Sequence, residues 1–93
     1  MEGEAVRRRL VIHGHVQGVF FRDSLRDCAR SHGVAGWARN CPDGTLEAVL
    51  EGDPAAVAEV LSFCETGPRE ARVERVEAFD DVAPEGLSGF EVR

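Results

Sequence analysis

The run Gly14-His15-Val16-Gln17-Gly18-Val19-Phe20-Phe21-Arg22 holds the residue types needed to grip a tetrahedral oxyanion. Gly14 and Gly18 let the backbone turn tightly and let a ligand come close to the main chain. Arg22 falls where that turn passes into a segment of helical periodicity. Backbone N–H groups of the turn, free N–H groups of a helix's first turn and one guanidinium together make a phosphate pocket. A cation in the first helical turn opposes the helix dipole unless an anion compensates it. The plainer alternative is a strand-to-helix turn carrying an exposed arginine.

A second constellation is Gly36-Trp37-Ala38-Arg39-Asn40, which runs into the turn Cys41-Pro42-Asp43-Gly44. Asparagine often caps such a turn. Its amide, with one acceptor and two donors, can equally hold a water and aim it at a bound phosphorus. Both roles for Asn40 are open at this level.

Absent residue types narrow the chemistry further. All 11 basic residues are arginine. Without lysine there is no G-x-x-x-x-G-K-[ST] loop and no Schiff base. Tyrosine is also missing. Cysteine-dependent phosphatases place an arginine six residues after the nucleophile, whereas Cys28, Cys41 and Cys64 are followed there by Val34, Glu47 and Glu70. Ser88 lies in Gly86-Leu87-Ser88-Gly89-Phe90, which lacks the last glycine of a G-x-S-x-G elbow. Water is therefore the expected nucleophile of any hydrolysis. His13 and His15 form half a metal site without flanking ligands, His32 suits a helix C-terminus, and no metal or other cofactor is expected. Arg7-Arg8-Arg9 reads as a solvated strand start and Trp37 as core.

The elements that must position these residues follow from periodicity. Residues 6–13 read as a strand and 14–20 as the glycine turn. From Arg22 to His32, Leu25, Cys28 and Ala29 recur at helical spacing opposite a charged face, and Gly33 supplies the stop. Val34–Asn40 and Thr45–Glu51 read as strands joined by the short Pro42-Asp43-Gly44 turn, hence antiparallel. Asp53-Pro54 caps and opens a second helix with Val57, Val60, Leu61 and Cys64 on one face, closed by Gly67-Pro68. Val73–Phe79 is strand-like but breaks alternation between Val73 and Val76, as a bulge would. Asp80–Ser88 reads as a loop, and Phe90 and Val92 as a short last strand, either added at an edge or paired with the first.

The order βαββαβ predicts an α+β ferredoxin-like sandwich, an antiparallel sheet with both helices on one face. A chain of 93 residues is expected to form one domain over 1–93, with 1–5 as a frayed polar tail. A net charge of −6 argues against nucleic acid as a partner. No apolar run suits a signal peptide or a membrane span. Three widely spaced cysteines fit free thiols in a reducing cytoplasm. A small acidic domain without an apolar surplus is expected to be a monomer.

Together the two constellations resemble the signatures of the acylphosphatase family. Gly14, Val16, Gln17, Gly18, Val19, Phe21 and Arg22 match the first; Gly36, Trp37, Ala38, Arg39, Asn40, Gly44 and Gly52 match the second. Leu46 replaces a common valine, and the last strand, Phe90-Glu91-Val92-Arg93, lacks the frequent tyrosine. The resemblance implies metal-free hydrolysis of the carboxyl–phosphate anhydride of small acyl phosphates. It implies that Arg22 binds the phosphoryl oxygens, that backbone N–H groups of His15, Val16, Gln17, Gly18, Val19 and Phe20 wrap them, and that Asn40 orients the attacking water. A phosphate oxygen of the substrate would take the water's proton, and inorganic phosphate or sulfate would occupy the same site. The alternative is a non-catalytic domain that binds phosphate or a partner through the same loop.

Overall fold

The computed structural model describes residues 4–80 and 83–93. Seven elements follow one another: β1 (Val6–His15), α1 (Phe21–Ser31), β2 (Ala35–Asn40), β3 (Leu46–Gly52), α2 (Pro54–Thr66), β4 (Arg72–Phe79) and β5 (Phe90–Val92). The strands form one sheet in the order β4-β1-β3-β2-β5. β1 pairs antiparallel with β3 and β4, and β2 pairs antiparallel with β3. This is the ferredoxin-like α+β arrangement expected from the pattern. The last strand resolves to the edge alternative, parallel to β2 with Gly36 opposite Phe90 and Ala38 opposite Val92. Of the polar tail expected over 1–5, residues 1–3 lie outside the described residues, while Glu4 and Ala5 are exposed.

Alternation along the strands sets the core. Leu10 and Ile12 of β1, Leu46, Ala48 and Leu50 of β3, and Ala38 of β2 are fully buried. They meet Phe21, Leu25 and Ala29 of α1 and Val57, Val60 and Cys64 of α2 in one cluster. Burying one such aliphatic or aromatic side chain stabilises by about 1.5–3 kcal/mol. α2 begins as its sequence requires: the Asp53 side chain accepts from the N–H groups of Ala55 (3.1 Å) and Ala56 (3.3 Å), with Pro54 at the first helical position. α1 is closed by His32 at its C-cap, followed by Gly33 at φ 70°.

Several local expectations are corrected. β1 continues through His15, so the glycine turn begins two residues later than its first glycine. Gly14 stays in the ladder opposite Val73, after a register shift that accommodates the unequal spacing of Val73 and Val76. A β-carbon on Gly14 would stand 2.1 Å from the Arg72 carbonyl oxygen, so glycine is required there for close strand approach. Trp37 is not core. It points away from the helices, because its neighbours Gly36 and Ala38 take the buried positions, and the Arg93 guanidinium lies 4.6 Å from its ring centroid.

The triple arginine at the start of β1 is engaged in ion pairs. Arg7 pairs with Glu85 (2.8 Å), Arg8 with Asp80 (2.7 Å), and Arg9 reaches Glu47 (3.5 Å) while its guanidinium covers the Phe79 ring at 4.5 Å. Beside it, the buried Glu51 carboxylate accepts the backbone N–H groups of Glu85 and Leu87, tying the segment before β5 to the open face of the sheet.

Candidate active site

The topology itself assembles the site. β1 and β2 both run antiparallel to β3, so they are parallel to one another, and β5 is parallel to β2. The carboxyl ends of all three therefore reach the same edge of the sheet, where α1 begins. The loop after β1, Asn40 at the end of β2 and Arg93 after β5 converge there.

Val16, Gly18, Phe20, Phe21, Arg22, Asp23 and Asn40 line a cavity of about 270 Å³ at this edge. Arg22 and Asn40, far apart in sequence, thus face one space. Of the loop residues, Val16, Gly18 and Phe20 line it. His15 is exposed as the last residue of β1, and Val19 is buried in the core. Gln17 acts as a strut: its Nε2 donates to the backbone oxygens of Cys41 (2.7 Å) and Thr45 (2.9 Å), fastening the loop to the β2–β3 turn beside Asn40.

The polar groups here are unspent. Among the described residues, no backbone N–H from Val16 to Asp23 is bonded to another protein group; the first bond of α1 is Ser24 N–H to the Phe20 oxygen at 3.0 Å. α2 caps itself with Asp53, whereas α1 has no side-chain cap. Its free N–H groups suit an anion, in a first turn that also carries the acidic Asp23. Arg22 is held on one side only, Nη1 donating to the Arg93 backbone oxygen at 2.8 Å. Asp23 lies 3.6 Å from Arg26.

The two open roles of Asn40 separate at this point. Asp43 caps the turn: its Oδ1 accepts from Thr45 N (3.0 Å) and Thr45 Oγ1 (2.6 Å), and the Thr45 hydroxyl holds the Asp43 carboxyl below its usual range. Asn40 Oδ1 is buried with no hydrogen-bond partner. The turn is thus closed without the Asn40 side-chain oxygen, and Asn40 lines the cavity beside Arg22.

Two further features escaped the sequence. The Arg93 contact to Arg22 is made by a backbone oxygen, which no residue type announces. Phe20 adopts a left-handed conformation (φ 62°, ψ 23°) at the N-cap of α1, and no other described residue except glycine has positive φ. A pattern search expects glycine at such a position. His13 is engaged elsewhere, its Nε2 2.8 Å from Glu77. Among the described residues no group of three histidines, cysteines or acids could hold a metal ion. No described helix is long and apolar enough to cross a membrane.

Known proteins are similar to this chain in both sequence and architecture. The acylphosphatase family model matches residues 8–92. Acylphosphatases from Rubrobacter xylanophilus and Thermococcus kodakarensis are each 54% identical over 87 residues, spanning 94% of this chain and 79% and 94% of those proteins. The structure of an acylphosphatase from Coxiella burnetii superposes with a TM-score of 0.89 at 31% identity, over 96% of this chain and 93% of that one. That from Bacillus subtilis gives 0.91 at 27% identity, over 97% and 99%. A match that spans both signatures, the whole sheet and both helices leaves one assignment, and the chain belongs to the acylphosphatase family of acyl phosphate hydrolases.

Proposed function

We propose that this hydrolase holds the phosphoryl group of a small acyl phosphate in the cavity at the start of α1. Arg22 and the backbone N–H groups of His15, Val16, Gln17, Gly18, Val19 and Phe20 take the phosphoryl oxygens, and Asn40 holds the attacking water. The observation that carries this reading is that Arg22 and Asn40, from separate elements, line one cavity. An amide oxygen accepting one hydrogen of the water leaves the water's lone pair free to attack.

The reaction asks little more of the protein. The water oxygen bonds to phosphorus as the bond from phosphorus to the acyl oxygen breaks. The leaving group is a carboxylate whose conjugate acid has a pKa of about 4, so it departs without a general acid. An acyl phosphate dianion and water give a carboxylate and dihydrogen phosphate, a balance that closes with the water's proton on a phosphate oxygen. Charge stabilisation and positioning then supply the catalysis. We further propose that one domain over 1–93 acts as a monomer in the cytoplasm, a reading that its free cysteines, Cys28, Cys41 and Cys64, support.

Benzoyl phosphate turnover by Arg22 variants tests the site. Arg22→Lys is expected to be nearly as damaging as Arg22→Ala, with kcat down on the order of 10²–10³, because lysine keeps the charge but loses the planar fork. Inorganic phosphate or sulfate is expected to inhibit the native chain competitively and to lose affinity for both variants. Near-native turnover by Arg22→Lys would remove Arg22 from the chemistry.

A further inference from the structure

Phe20 is the one large apolar side chain among the described residues that stands exposed, at 74% of its surface. It does so in a left-handed backbone conformation that a side chain makes costly, at the N-cap of α1, where serine, asparagine or aspartate would cap the helix. Three local preferences are thus set aside at one residue: burial of an aromatic, glycine at positive φ, and a capping side chain. Such conflicts concentrate where a side chain serves a ligand. Phe20 is among the residues lining the cavity that Arg22 and Asn40 also line.

We propose that the Phe20 ring is the acyl-binding surface of the enzyme and selects acyl phosphates whose acyl group is flat and apolar, an aromatic acyl group above all. The inference rests on the placement of the phosphoryl group at Arg22. With phosphorus held there, the acyl group has to leave the cavity over its rim, and Phe20 is the apolar residue standing exposed on that rim. The remaining side chains lining the cavity are polar, charged or buried: Arg22, Asp23 and Asn40 hold the polar groups, and Val16 and Phe21 are committed to the core. An aromatic face stacks on another aromatic group with a gain beyond simple area burial, and a methyl group collects little of it. The left-handed backbone holds the ring outward before substrate arrives, so its ordering cost is met in folding.

The test compares benzoyl phosphate with acetyl phosphate on Phe20→Ala, Phe20→Gly and Phe20→Trp, with Arg22→Ala alongside. The readout is the ratio of kcat/KM for the two substrates. It is expected to fall about tenfold in the alanine and glycine variants and to be restored in Phe20→Trp. Phe20→Gly is also expected to melt at or above the native temperature, since glycine relieves the backbone, which separates loss of selectivity from loss of folding. An equal fractional change for both substrates in the alanine and glycine variants, with Arg22→Ala inactive, would overturn the role of Phe20 and leave the phosphate site standing. Normal turnover of both substrates by Arg22→Ala would overturn the phosphate site and this inference with it.

Discussion

Replacing Asn40 by alanine separates holding a water from holding a turn, and the structure gives the two outcomes different magnitudes. If Asn40 were a cap, its loss would cost about 0.5–2 kcal/mol. The turn, however, is closed by Asp43 through Thr45, together with Cys41 N–H to the Thr45 oxygen (2.9 Å) and Gly44 N–H to the Cys41 oxygen (3.1 Å). Asn40 Oδ1 enters none of these bonds. Alanine therefore leaves no protein group newly unpaired by losing Oδ1, and it removes a buried acceptor that had no partner. The expected stability change lies within about 0.5 kcal/mol. For a domain of this size that moves the melting midpoint by less than about 4 °C. Turnover should respond differently. An interaction realised only as the new bond forms lowers kcat and kcat/KM together, here by an amount on the order of 10²–10³, while product affinity persists. The assay measures kcat on benzoyl phosphate, competitive inhibition by inorganic phosphate and the thermal midpoint, all on one preparation. A folded Asn40→Ala protein with native kcat would refute the reasoning. So would a loss of turnover matched by an equal loss of phosphate affinity, since Asn40 would then bind substrate rather than position water.

Two other outcomes follow from ionisation and burial. Asp43, hydrogen-bonded by Thr45, and Glu77, hydrogen-bonded by His13, both have carboxyl groups held below their usual range. Their contribution to stability is complete above the ordinary carboxylate pKa of about 4 and is lost as pH falls through the lowered values. The urea midpoint should thus decline on acidification below about pH 4, less steeply in Asp43→Asn; an identical acid slope in that variant would show that the Thr45 contact is unimportant. Among the thiols, burial pushes Cys64 far up, and burial with the Glu59 carboxylate raises Cys28. In the native state Cys64 should react with a disulfide reagent only as fast as the chain unfolds, and labelling of Cys28, Cys41 and Cys64 at one common rate would contradict its burial.

What the sequence revealed and what it hid divide along a physical line. Side-chain periodicity and turn chemistry are local, and they placed α1, the Asp53-Pro54 start of α2 and the antiparallel β2–β3 pair within a residue or so. The element order pointed to the ferredoxin-like sheet, and in the structure β1 and β2 end at one edge, which brings Arg22 and Asn40 to one cavity. Trp37 was misplaced because the strand rule counts apolar residues inward, while here the small Gly36 and Ala38 face the helices and leave the indole to Arg93. Gly14 was assigned to the turn because glycine permits both a turn and a close strand approach, and only the neighbouring Arg72 carbonyl distinguishes them. The tie from Gln17 to the oxygens of Cys41 and Thr45 and that from Arg22 to the oxygen of Arg93 end on backbone atoms, which every residue carries alike. These hidden bonds concern the spacing between the loop, the hairpin and the helix start. The phosphate cradle proposed above would depend on that spacing, since positioning is most of what phosphoryl transfer asks of a protein. The signature residues identify the family, whereas the meeting of Arg22 and Asn40 at one cavity is set by strands that end at one edge and by two side chains anchored on main-chain oxygens.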